Sequence, residues 1–103
     1  MRKLILILSL IIGVVACKES VPTFSEDIAP LVYEKCTPCH RPNQIGKFNL
    51  ITYADLALNR EKVLYTVREK LMPPWPADPH YTSFVDENYL NDEELALLER
   101  WYA

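Results

Sequence analysis

The pattern of apolar and polar positions opens with a run that has no period. Leu4 to Ala16 is apolar except for Ser9 and Gly13, and Arg2 and Lys3 stand ahead of it. Its thirteen residues, at about 1.5 Å rise each, span roughly 20 Å, short of a hydrocarbon core of about 30 Å. A charged start followed by a short apolar run is a secretory signal. After a polar tether the pattern turns helical. Thr23-Phe24-Ser25-Glu26 fits a capping box, and Ile28, Leu31, Val32 and Lys35 follow at helical spacing, so a helix is expected over 24–35, bent at Pro30. Residues 41–51 lack a period and read as loop, with Gly46 expected at a positive φ. Thr52 to Asp55 is a second capping box opening about two turns. Asn59 can cap a further helix over 60–71, where Val63, Leu64, Val67 and Leu71 repeat, unless 53–71 is one bent helix. Met72-Pro73-Pro74 removes the amide donors a helix needs, so 72–89 is expected as extended loop. Asn91 to Glu94 then caps a last helix with Leu95, Leu98, Trp101 and Tyr102 on its apolar side. With no convincing strand and no internal repeat, the fold class is all-α, three to four helices in one small domain.

The signal ends in Val14-Val15-Ala16-Cys17, which resembles the bacterial lipobox. That divides the chain into a signal peptide (1–16), a lipidated tether (17–22) and a domain (23–103). Cys17 becomes the acylated N-terminus, and several acyl chains anchor better than one. The expected location is the cell envelope, facing the periplasm or the surface. Lys18 stands where an aspartate is associated with inner-membrane retention, which leans toward the outer membrane. Cleavage loses Arg2 and Lys3 and moves the net charge from -3 to -5. An acidic domain has no electrostatic footprint for nucleic acid. On net charge, a partner with a basic patch is the natural one, although a mild acidic excess is also an ordinary solubilising surface. A domain this small usually needs a staple.

Two cysteines remain for chemistry, in Cys36-Thr37-Pro38-Cys39-His40. A structural zinc site needs four donors, usually two such pairs, and the chain offers one pair with His40 and a distant His80. A thioredoxin-like dithiol expects a βαβ setting. A Cys36–Cys39 disulfide would close a tiny loop, contribute little, and leave the histidine unexplained. Covalent haem c accounts for all five residues. One turn of chain brings both thiols to adjacent vinyl groups as thioethers, and the next residue presents imidazole to the iron. Haem attachment outside the cytoplasm agrees with the signal, and the disc is itself a staple.

For the iron's other face the chain offers Met72, His80 or an open position. Met72 is the only methionine left after the signal, 32 residues beyond His40, where the prolines stop the helix. A lone methionine after an amphipathic helix is ordinarily core, but a thioether opposite imidazole raises the potential and saturates the iron. His80 sits in a polar loop behind Pro79 and is the weaker alternative. Trp75 reads either as core or as an indole donor to a haem propionate. Arg41 reads either as a propionate partner or as a solvated charge, and Trp101 as core.

Met-Pro after a helix, downstream of Cys-x-x-Cys-His, resembles the class I cytochrome c domain. More narrowly, the motifs Cys36 to Pro42, Phe48-x-Leu50-x-Thr52-Tyr53, Met72-Pro-Pro-Trp-Pro-Ala-Asp-Pro79, Phe84, and Glu94 followed by Trp101 are similar to a cytochrome c-like module of bacterial secreted proteins. That module is often fused to copper type II monooxygenase-like or thioredoxin-like domains. The similarity covers nearly all of 24–103, and the Met-Pro-Pro-Trp-x-Ala-Asp block is its most specific part. It departs at Asn43-Gln44, where that family commonly has glycine, and at Lys47, where it tends to have proline. The resemblance implies haem on Cys36, Cys39 and His40 with Met72 as sixth ligand. The expectation is a membrane-anchored electron carrier exchanging single electrons with redox protein partners. The alternative is a haem enzyme or sensor with an open or displaceable sixth position.

Overall fold

The computed structural model describes residues 19–103; the signal peptide, Cys17 and Lys18 lie outside the described residues. The described chain is helical without strands. A π-helical turn, Phe24–Ile28, runs into α1 (Ala29–Lys35); α2 (Tyr53–Leu58), α3 (Arg60–Arg68) and α4 (Asp92–Tyr102) follow. No helix among the described residues is long and apolar enough to cross a membrane.

Helix starts follow the chemistry of their caps, with one correction. Thr52 and Asp55 exchange the two expected bonds, as do Asn91 and Glu94. At the first start the Thr23 hydroxyl accepts from the Glu26 amide, but the reciprocal carboxylate belongs to Asp27, 2.7 Å from the Thr23 amide. The π turn explains the shift. Ile28 donates to the Thr23 carbonyl and Ala29 to that of Phe24, so one extra residue is wound into the turn and position i+4 reaches back where i+3 would. The same turn accommodates Pro30 at the start of α1, where a proline's missing amide costs least.

Two expectations about 53–71 change. Two helices are present, and Asn59 between them caps neither start with its side chain; its Nδ2 donates to the Asp55 carbonyl, serving the end of α2. Because Asn59 is the single residue between α2 and α3, the orphan carbonyls of α2 compete for that side chain. Second, α3 stops at Arg68, before Leu71. Lys70 takes φ 56°, Leu71 donates to the Thr66 carbonyl at 2.8 Å, and Lys70 donates to Val67 at 3.2 Å. This is a Schellman closure with lysine in the position glycine usually holds. Leu71 therefore leaves the apolar stripe and is exposed. Residues between α3 and α4 form irregular loop, as expected.

The core gathers Ile28 and Val32 from the first segment, Leu56 from α2, Val63 and Val67 from α3, and Leu98 from α4. The first and last helical segments meet: α4 packs against the π turn and α3, and Trp101 lies 5.8 Å from the Phe24 ring and 5.6 Å from Tyr53. Trp101 thus packs on the core, as read. Arg68 Nε contacts Glu99 Oε1 at 2.6 Å across α3 and α4. Deeper, the Tyr102 hydroxyl donates to the Leu56 carbonyl at 2.8 Å. Burial, then the neighbouring Cys36 thiol, pushes the Tyr102 hydroxyl well above its ordinary range, so it stays a neutral donor. Tyr102→Phe leaves that carbonyl without its donor and is expected to cost about 1–2 kcal/mol, read as a lower urea midpoint with an unchanged m-value.

Candidate functional site

The motif begins where α1 ends. Cys36 donates its amide to the Val32 carbonyl, and the next turn is closed by Cys39 and His40, both donating to the Cys36 carbonyl at 3.2 and 3.0 Å. Both thiols are free. Burial, and secondarily Cys39, pushes the Cys36 thiol up to about 11. A redox dithiol needs its attacking thiol lowered instead, so this environment does not fit the thioredoxin-like reading.

Loop 41–50 folds back onto this turn. Gly46 donates to the Cys39 carbonyl at 2.7 Å and Leu50 to the His40 carbonyl at 2.9 Å. The Thr37 hydroxyl, inside the motif, bonds the Leu50 carbonyl at 2.7 Å. The expectation for Gly46 is corrected: no glycine among the described residues has a positive φ, and Asn43 takes the left-handed conformation at 62°. What position 46 requires is room. A Cβ there would lie 2.6 Å from the Cys39 carbonyl oxygen and 2.6 Å from His40 Nδ1. Gly46→Ala must move backbone or the imidazole, and a cost of about 1–3 kcal/mol is expected, read as a lower thermal midpoint than in the exposed control Asn49→Ala.

His40 is held by a group absent from the sequence-level reading. Its Nδ1 lies 2.9 Å from the Phe48 carbonyl oxygen. A carbonyl only accepts, so Nδ1 carries the proton and Nε2 keeps its lone pair for a metal. The Phe48 ring packs on the imidazole, centroids 4.9 Å apart. Main-chain atoms of a loop leave no residue-type signature, which is why this partner was not legible.

Cys36, Cys39 and His40 open into one cleft of about 500 Å³, walled by Leu50, Val63 and Val67, within the range of cofactor sites. Met72 lines the same cleft with Pro73 and Pro74. The Schellman closure places it, since the Met72 amide bonds the same Thr66 carbonyl as Leu71. His80 does not line the cleft; it is exposed, its amide bonded to Asp78 Oδ1. Arg41 is exposed and also outside the lining. Trp75, just past the two cleft prolines, buries its indole Nε1 without a hydrogen-bond acceptor, a condition that costs roughly 1–3 kcal/mol.

Haem fits these residues on three observations: two free thiols and an imidazole with an available Nε2, a thioether, and the apolar side chains of Leu50, Val63 and Val67 all line the same cleft. Trp75 itself does not line the cleft. No protein-family model matches the chain, and no curated protein or solved structure matches it significantly.

Proposed function

We propose that this chain is a membrane-tethered, single-haem c-type cytochrome that carries electrons, with Cys36 and Cys39 binding the haem covalently, His40 and Met72 as axial ligands, and the acylated Cys17 as anchor. The observation that carries this reading is the meeting of Cys36, Cys39, His40 and Met72, from segments more than thirty residues apart, on one apolar cleft. When bound, the haem supplies one-electron chemistry between Fe(III) and Fe(II).

The protein's own residues do the rest. The Phe48 carbonyl fixes the His40 tautomer and ring orientation and raises the ligand's basicity. Met72 offers a neutral, polarisable sulfur, which favours the reduced state. Leu50, Val63 and Val67 exclude water and lower the local dielectric. His40 and Met72 together would hold a bound haem iron and leave it no position for a substrate, which suits a carrier. A second reading, a displaceable sixth ligand suited to gas sensing, has one observation behind it: Met72 is 41% exposed.

The test is the spectrum of the mature protein expressed with a c-type maturation system. A haemochrome typical of two thioether bonds, with a ferrous spectrum unchanged by carbon monoxide, is the expected result. A shift with carbon monoxide selects the second reading, and protein without covalent haem sinks both.

A further inference from the structure

The tether lies against the last helix. Glu19 Oε1 is 3.4 Å from Arg100 Nη1, and Thr23, at the tether's other end, caps the π turn whose Phe24 packs on Trp101. Residues 19–23 therefore run along the C-terminal end of α4. Three rings from three segments close the same end of the domain: Phe24, Tyr53 and Trp101 meet pairwise with centroids 5.6 to 5.8 Å apart. Tyr53 is nevertheless 59% exposed, and Val21 in the tether is 84% exposed. Tyrosine and tryptophan, each an apolar body with a polar tip, are the side chains that settle at a water–lipid boundary. Arg100 is paired with Glu19 and Glu26 is exposed in the π turn, so this end offers a membrane rings and not a basic patch. The Cys36 turn sits at the opposite end of the first helical segment, roughly 18 Å from Phe24 at about 1.5 Å per residue.

We propose that the end of the domain carrying Phe24, Tyr53 and Trp101 rests on the bilayer at headgroup depth, which holds the Cys36–His40 turn out in the aqueous phase. The placement rests on the anchor reading of Cys17 and adds a fixed face to it. Only Lys18 separates Cys17 from Glu19. A residue of chain spans at most about 3.6 Å, so acyl chains on Cys17 start within about 7 Å of the Glu19 backbone. A long flexible tether would let the domain present any face to the lipid; one this short presents the face it leaves. The Glu19–Arg100 pair is exposed and holds little energy. Its bearing is on direction: it sets the tether's exit beside Trp101. At the boundary the ring bodies gain an apolar setting while the Tyr53 hydroxyl stays hydrated.

The test uses the full chain, processed, acylated and reduced, in phosphatidylcholine nanodiscs. Its two tryptophans, Trp75 and Trp101, are replaced biosynthetically by 5-fluorotryptophan and give one fluorine resonance each. A gadolinium-chelating lipid in the disc is expected to abolish the Trp101 resonance and spare that of Trp75, which follows the cleft prolines. Inserting about a dozen Gly and Ser residues between Ser20 and Val21, a reach of roughly 20 Å, should remove the preference, so that both resonances broaden alike. Discs containing phosphatidylglycerol should give the same pattern, because rings and not charge make the contact. Trp75 broadened as much as Trp101 with the tether intact, or a preference confined to anionic discs, overturns the proposal while the anchor stands. Broadening of Trp101 that follows the number of copies per disc and not the gadolinium lipid assigns the rings to a second copy and overturns it as well. An intact mass without acyl chains overturns the anchor reading and the proposal with it. Protein without covalent haem overturns the carrier reading alone, and the fluorine pattern still judges the face.

Discussion

Cys36→Ala/Cys39→Ala, matured alongside the wild type, is expected to lose all covalent haem and most of its stable fold. A domain of this size holds roughly 4–13 kcal/mol of stability at about 0.05–0.15 kcal/mol per residue. Each 100 Å² of apolar wall covered contributes about 2.5 kcal/mol, so a disc covering a few hundred Å² of Leu50, Val63 and Val67 and their neighbours matches the whole of that stability. Without the thioethers a haem would be held only by His40 and Met72 and would dissociate in denaturant, leaving the apolar walls to water. Haem staining of a denaturing gel should be blank, and the far-ultraviolet helix signal should melt early and broadly. The single variants separate attachment from packing: either Cys36→Ala or Cys39→Ala keeps one thioether and should retain stained haem with an intermediate midpoint. A double variant as stable as the wild type would remove haem from the account of this core.

Met72→Ala should leave attachment intact and change the iron's chemistry. Axial-ligand identity spans about 0.8 V across haem proteins, and loss of the thioether is expected to lower the midpoint potential by on the order of 0.1 V or more. Carbon monoxide should then bind the ferrous form and cyanide the ferric form rapidly. The weak long-wavelength band of ferric thioether ligation should be present in the wild type and absent in the variant. His80→Ala is the control: that side chain lies outside the cleft, and its removal should leave spectrum and potential unchanged. If Met72→Ala keeps the wild-type spectrum while His80→Ala loses it, the sixth ligand is the histidine, and the loop between α3 and α4 must rearrange when haem binds. The stability change in Met72→Ala should be small beside the change in potential, because Met72 is partly exposed and its backbone is held through Thr66.

The readings that the structure corrects share a cause. Asp27 displaces Glu26 in the first capping box because a π turn adds a residue, and nothing in Thr23 to Ile28 signals that winding beyond the nearby Pro30. Asn59 has the composition of a start cap, yet it serves the preceding helix because two helices abut there. Gly46 has the composition of a left-handed residue because glycine adopts a positive φ without steric cost; it is there because the loop's return path leaves no room for a Cβ beside His40. In each case residue type predicted a local role, and the position of a neighbouring segment assigned another.

Local chemistry lay in the sequence itself: the all-α class, two of the three capping boxes, and the Cys-x-x-Cys-His turn whose bonding spans five consecutive residues. These follow from side chains acting within one or two turns of chain, where spacing and geometry are nearly the same thing. Tertiary structure decided what depends on loops and on return paths. It brought Met72 rather than His80 to the cleft, aimed Nε2 of His40 through the Phe48 carbonyl, and laid the tether against α4. Backbone carbonyls carry no letter in the sequence, and a tether's length does not say which face it leaves. Those properties exist only once segments far apart in the chain share one surface.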